Sequence, residues 1–176
     1  MNPSIELRVN SREKILACNP LNDEAIAILA DMDGGKDLKG VDLGVAVNAL
    51  IGALVRNGYL DSVSSSILIS VEDKNEECAA KLRREVTETV DSILTANSSG
   101  ASVLSQTLNK DTNLDSIAKN NNISTGKAAL VNQVCELNES LDFTELAALS
   151  VDELKDLIEV GAPGMPIRCV LRSILI

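Results

Sequence analysis

Leu43-Gly-Val-Ala-Val-Asn-Ala-Leu-Ile-Gly-Ala-Leu-Val55 is the longest apolar run in the chain, broken only by Asn48 and two glycines. A bilayer crossing takes roughly 20 residues, so this run is too short to be a span. Asp42 stands before it as an N-cap, and Arg56-Asn57-Gly58 follows as a basic last turn with a glycine stop. A helix that is apolar nearly all round needs cover on most sides. The run therefore predicts the central helix of a core, with the other elements wrapped around it.

The chain has 176 residues, of which 45% are hydrophobic, enough for one domain or a domain with an appendage. Tyr59 and Phe143 are its aromatics, so the core is aliphatic and there is no stacking platform for bases or sugar rings. A net charge of −10 disfavours DNA, RNA and anionic lipid, whose phosphates are bound by Lys and Arg. With no histidine, Ser-His and Cys-His nucleophile pairs and His-ligated metals are excluded. Cys18, Cys78, Cys135 and Cys169 are far apart, with no Cys-x-x-Cys, and each is expected to behave as a small buried hydrophobe. No cofactor or metal is expected. Neither a signal peptide nor a transmembrane span is visible, which suits a cytosolic protein or a piece of a larger membrane-anchored one.

Around the central run, Ser4–Val9 alternates strictly: Ile5, Leu7 and Val9 lie on one face, Ser4, Glu6 and Arg8 on the other. Asn10-Ser11-Arg12-Glu13 is turn chemistry, and Lys14–Cys18 resumes as a second strand, giving a hairpin. Asn19-Pro20 closes it as an ordinary turn. Asn22 or Asp23 then caps a short helix expected to turn Ile26, Leu29 and Ala30 inward. Asp33-Gly34-Gly35-Lys36 lacks phosphate-loop spacing and reads as a flexible loop. Ser66–Val71 is a third strand, Glu76–Leu94 an amphipathic helix through Ala79, Leu82, Val86, Val90 and Ile93, and Ser102–Thr107 a fourth strand. From about residue 109 only short helices follow: Asn113–Asn120, Thr125–Leu137, Phe143–Leu149 and Val151–Val160. The last carries a capping box, Ser150-Val-Asp-Glu153.

The expected fold is an α/β (α+β) domain: a small, mostly antiparallel sheet built on the first hairpin, the central apolar helix and flanking helices. Residues 1–108 form that core, 109–160 a helical subdomain, and 161–176 a linker or tail.

Two stretches carry functional weight. Leu114–Leu130 has helix-turn-helix spacing, the alternative being a cytosolic transcription regulator. Its neighbourhood from Lys110 to Cys135 holds three lysines against two aspartates and no arginine, too little to anchor phosphates, so two supporting helices are the better reading. Asn2-Pro3 offers unusual chemistry. Proline has no amide hydrogen, which closes attack by the following backbone nitrogen. Attack of the Asn2 side-chain amide on its own carbonyl stays open, and it cuts the chain.

Asn2-Pro-Ser-Ile-Glu-Leu7 with Val9-Asn10, Asp31-Met-Asp33, Leu38-Lys-Gly-Val-Asp-Leu43 and Ala46-Val-Asn-Ala-Leu-Ile-Gly52 resembles the extracytoplasmic domain of RsgI-type anti-sigma-I factors. Arg56-Asn-Gly-Tyr-Leu60, Ser66-Ile-Leu-Ile-Ser-Val71, Val103-Leu-Ser-Gln-Thr107 and Ile123-Ser-Thr-Gly-Lys-Ala-Ala-Leu130 continue the likeness to about residue 160. The resemblance implies a non-enzymatic signal relay outside the membrane. Such proteins sequester a sigma factor with a cytosolic segment, span the membrane once, and cleave themselves at an Asn-Pro bond that here is Asn2-Pro3. Asn2 would be the intramolecular nucleophile and Pro3 the leaving amine. The upstream piece is retained as a strand packed through Ile5, Leu7 and Val9. Its release exposes the stub to intramembrane proteolysis and frees the sigma factor. Met1 alone precedes Asn2, so this chain looks like the downstream piece with a start methionine added. The edge near Ile5–Val9 is then open to another chain, including an edge-strand dimer.

Overall fold

The computed structural model describes residues 3–60, 65–109, 112–138 and 140–161. The chain falls into two compact units, one drawn from Met1–Val71 and Asn75–Thr107, the other from Glu72–Lys74 and Leu108–Ile176.

In the first unit, β1 (Ile5–Val9) and β2 (Ile15–Pro20) form the antiparallel hairpin. Asn10 makes the turn by accepting the amides of Arg12 and Lys14 at 2.9 and 3.0 Å, and Glu13 takes a left-handed φ of 57°. Arg8 pairs with Ala17 and Val9 with Ile15, so Leu16 is bulged out and is 52% exposed. The far edge of β2 is covered at Ile15, which donates to Val41 O and accepts from Gly40 N.

Helix α1 (Asp23–Leu29) is capped by Asn22 and buries Ala25, Ile28 and Leu29. This corrects the expected inward set. Ala25, Ile28 and Leu29 share one stripe at helical spacing, which leaves Ile26 at 56% exposure and Ala30 exposed. Residues Ala30–Leu38 continue as 3-10 turns, interrupted by non-helical backbone at Met32, Asp33, Gly34 and Gly35. The expected flexible loop is thus an ordered one, with Gly35 buried against Cys18.

Helix α2 (Leu43–Arg56) is the central helix, burying Leu43, Ala46, Val47, Leu50, Ile51 and Ala53. Its cover is open on one side, where Gly44, Val45 and Asn48 face solvent. Asp42 stands at the N-cap position but makes no side-chain cap bond; its carboxylate is paired with Lys14 Nζ at 2.8 Å. The glycine stop is as expected: Gly58 has a φ of +76°, and Gly58 N and Tyr59 N return to the carbonyls of Val55 and Leu54.

Strand β3 (Ser66–Glu72), helix α3 (Glu76–Ala96) and β4 (Ser102–Leu108) complete this unit, apart from the last residue of each strand. Asn75 caps α3 through the amides of Glu77 and Cys78. The expected stripe holds, with Ala79, Val90 and Leu94 buried and Leu82, Val86 and Ile93 packed on the core. Ser66 meets Ser102 and Ser70 meets Gln106, both at a separation of 36 residues, so β3 and β4 run in the same direction. A parallel pair needs a crossover connection, which α3 supplies. The sheet is realised as two separate two-stranded ladders, β1–β2 and β3–β4. Ile5, Leu7 and Val9 of one ladder and Ile67, Ile69 and Val103 of the other pack on a single aliphatic cluster centred on α1 and α2.

The second unit holds α4 (Thr112–Asn120), α5 (Thr125–Leu137), α6 (Phe143–Ala148) and α7 (Val151–Gly161). Helix α5 is its hub, packing on the other three and burying Gly126, Ala128, Leu130, Val131 and Val134. The capping box forms at the start of α7: Ser150 N donates to Glu153 Oε2 at 2.7 Å, and Glu153 N donates to Ser150 Oγ at 3.2 Å. The Ser150 amide holds the Glu153 carboxyl below its ordinary value of 4.5, with a smaller pull from Lys127. A depressed folded-state value gives stability that is complete above the unfolded value and lost as pH falls through the folded one. Glu153→Gln should therefore be less stable than the parent at pH 7 in urea unfolding, and the gap should close below about pH 4.

Candidate functional site

Asn2 lies outside the described residues, as do Cys169 and the 162–176 tail. Pro3 is half-buried immediately ahead of β1. The next residue, Ser4, is held at both of its backbone groups. Its N–H donates to Asn22 Oδ1 at 3.0 Å, and its carbonyl accepts from Leu21 N at 2.8 Å. The same Asn22 Oδ1 accepts the Ala25 amide at 3.0 Å, so the oxygen that caps α1 also fixes the backbone beside Pro3.

Beyond Ser4, the ladder sets which backbone groups are used. Leu21 N bonds Ser4 O, and Asn10 N bonds Lys14 O, so the even-numbered residues of this strand face β2. In an antiparallel pair the alternate residues point the other way. The N–H and C=O groups of Ile5, Leu7 and Val9 therefore line the outer edge of β1, where no strand is paired among the described residues. Their side chains are half-buried on the apolar cluster. A backbone edge that is open above and apolar on one face can accept an added strand.

The solvent face of the hairpin has its own order. Glu6 pairs with Arg8 at 3.2 Å and accepts Asn19 Nδ2 at 2.7 Å. Asn19-Pro20 is thus the end of β2, paired with Glu6 and Ile5, and is not the turn expected from the dipeptide. The Asn19 side-chain nitrogen, the atom that would attack its own carbonyl, is committed to a carboxylate. In any version of this protein that cuts itself, peptide mass mapping should find the Asn19-Pro20 bond intact.

The helix-turn-helix spacing is real: α4 and α5 pack together, and Thr125 Oγ1 donates to Asp115 at 2.9 Å. Yet the helix that would enter a groove is the hub of its unit, with only Gln133, Glu136 and Leu137 classed as exposed. Lys127 is half-buried, and that burial lowers its pKa against the opposing pull of Glu153. Two supporting helices is what the fold contains.

The cysteines divide. Cys18 is buried, as expected, and burial raises its pKa; Cys135 is half-buried, raised by burial and by the Asp142 carboxylate. Cys78 is exposed, contrary to expectation, because it falls on the outer side of the first turn of α3. Among the described residues no group of three or more His, Cys, Asp or Glu could hold a metal ion, and no helix is long and apolar enough to cross a membrane.

In the sequence Asn22 reads only as one of two possible caps for α1. Its second bond, to a residue 18 positions earlier, has no local signature. The Glu6–Asn19 bond is hidden in the same way, since it depends on the register of the hairpin.

Comparison with known proteins bears on the whole of this arrangement. The chain is 24% identical over 164 residues to the anti-sigma-I factor RsgI9 of Acetivibrio thermocellus, covering 90% of this chain and 22% of that protein. It is 24% identical over 169 residues to the anti-sigma-I factor RsgI3 of the same organism, covering 92% of this chain and 26% of that protein. The chain thus spans about a quarter of the length of these relatives. Residues 1–133, which include the hairpin, both ladders and most of α5, match the RsgI-like central domain of anti-sigma factors. By that match the chain belongs to the anti-sigma factor RsgI-like central domain family.

Proposed function

We propose that this domain is the extracytoplasmic relay of a membrane-anchored anti-sigma factor, cut by its own chemistry at Asn2-Pro3 and holding the upstream strand without a covalent bond. The domain is not a turnover enzyme. Its single reaction is intramolecular. The Asn2 side-chain nitrogen attacks the Asn2 backbone carbonyl carbon, the C–N bond to Pro3 breaks, and a proton passes to the proline nitrogen. The products are a C-terminal succinimide, later opened by water, and a secondary amine on Pro3. Orientation of the amide against the carbonyl can supply several kcal/mol of the barrier.

The observation that carries the proposal is the outer edge of β1. It begins two residues after Pro3, its backbone groups at Ile5, Leu7 and Val9 have no strand partner among the described residues, and its side chains sit on the core. A strand leading into Asn2 and added to that edge remains bound after the cut through backbone bonds and apolar contact. Force or ligand binding elsewhere in the protein pulls that strand away, and the freed membrane stub is then open to intramembrane proteolysis, which releases the sigma factor.

The test is intact mass spectrometry on the chain carrying its native upstream residues, beside an Asn2→Ala control. Two fragments that co-purify, split at Asn2-Pro3 and absent from the control, are expected. A single uncut, folded chain stable over days would remove self-cleavage and leave a passive spacer or ligand sensor.

A further inference from the structure

We infer that Asn22 is the positioning residue for the cut, acting through Ser4 to hold the leaving nitrogen of Pro3 in place. The inference rests on the self-cleavage reading above and adds to it a residue with a defined task. The Asn22 side-chain oxygen accepts two amides at once, Ala25 N and Ser4 N, both at 3.0 Å. The first bond ties that oxygen to the start of α1, whose Ile28 and Leu29 are buried to 2% and 0% exposure. The second transmits the rigidity of that helix to the backbone one residue past Pro3. The Ser4 carbonyl is fixed separately by Leu21 N at 2.8 Å. With both Ser4 groups held and φ of Pro3 fixed by its ring, ψ of Pro3 is the one soft backbone rotation between the anchored Ser4 and the proline nitrogen.

This matters because the reaction breaks the bond to that nitrogen. As the Asn2 nitrogen closes on its carbonyl, the Pro3 nitrogen must leave conjugation with it and accept a proton. An anchored nitrogen holds the scissile bond in one orientation for the attack, whereas one that swings spends only part of its time there. Misplacement by about 1 Å is enough to cost two orders of magnitude in rate. Asn22 contacts no reacting atom in this scheme; it works through Ser4.

Two substitutions separate this role from helix capping. Asn22→Asp keeps the oxygen that accepts both amides. Asn22→Gly loses it but remains a tolerated N-cap, since glycine at that position weakens a helix far less than alanine. Each is placed in the chain carrying its native upstream residues. The rate of fragment appearance is followed by intact mass, and the thermal midpoint is measured in an Asn2→Ala background, where nothing is cut. The expected result is cleavage slowed about tenfold or more in Asn22→Gly, a near-parental rate in Asn22→Asp, and similar midpoints in all three. Parental cleavage in Asn22→Gly overturns the inference while leaving self-cleavage intact. A slow Asn22→Gly whose midpoint has collapsed, with no rescue in Asn22→Asp, overturns it in favour of a purely structural cap. A parent that never cuts overturns both the inference and the reading beneath it.

Discussion

Gly35→Ala is expected to destabilise the first unit by about 3 kcal/mol, lowering its thermal midpoint by roughly 10 °C or more. Two independent penalties combine there. Gly35 has a φ of +93°, a conformation that L side chains rarely adopt. A Cβ at that position would also stand 2.9 Å from the Cys18 carbonyl oxygen and 3.0 Å from both Cys18 Cβ and Sγ. The oxygen belongs to the backbone of β2 and cannot swing aside as a long side chain could. Gly34→Ala is the internal control. Its φ of +64° carries the conformational cost, but a Cβ there meets nothing within 4 Å, so a loss near 1 kcal/mol is expected. Equal losses in the two variants would show that the contact with Cys18 contributes nothing. Urea unfolding followed by circular dichroism makes the comparison.

Leu29→Ala should cost about 3 kcal/mol, whereas Ile26→Ala, three positions earlier on the same short helix, should change stability by less than about 0.5 kcal/mol. Leu29 is 0% exposed and packs in the aliphatic cluster, so truncation removes buried methyl groups and leaves a cavity. Ile26 is 56% exposed, and alanine is the better helix former. A shift in urea midpoint of the same size for both variants would mean that α1 is not seated through Ala25, Ile28 and Leu29.

The same helix shows where sequence and structure part company. In Ser4–Val9 the period of two is unbroken, and in Glu76–Leu94 five apolar residues share one stripe over several turns, so one assignment of faces fits and the structure follows it. In the seven residues of α1 two different stripes fit the same letters, and only the buried neighbours decide between them. The Ser150–Glu153 capping box was legible because its partners lie three residues apart. Asp42 was misjudged because its carboxylate is taken by Lys14, a partner brought near by the hairpin and not by sequence spacing. Gly34-Gly35 read as loose because glycine pairs usually are; the requirement for a missing side chain came from the Cys18 backbone opposite. At the candidate site, the apolar face of Ile5, Leu7 and Val9 could be read from letters. The double bond of Asn22 and the commitment of Asn19 to Glu6 could not, since both are products of register.

The alternation of backbone groups along β1 also makes the strand its own reporter. Amide protons of Glu6 and Arg8 point into the ladder with β2 and should exchange with deuterium slowly, while those of Ile5, Leu7 and Val9 point outward. With the outer edge bare, protection rises and falls residue by residue along five positions; with a strand seated there, it becomes uniform. Release of that strand would then be visible as the return of a period-two pattern, timed at single residues without a label on either chain.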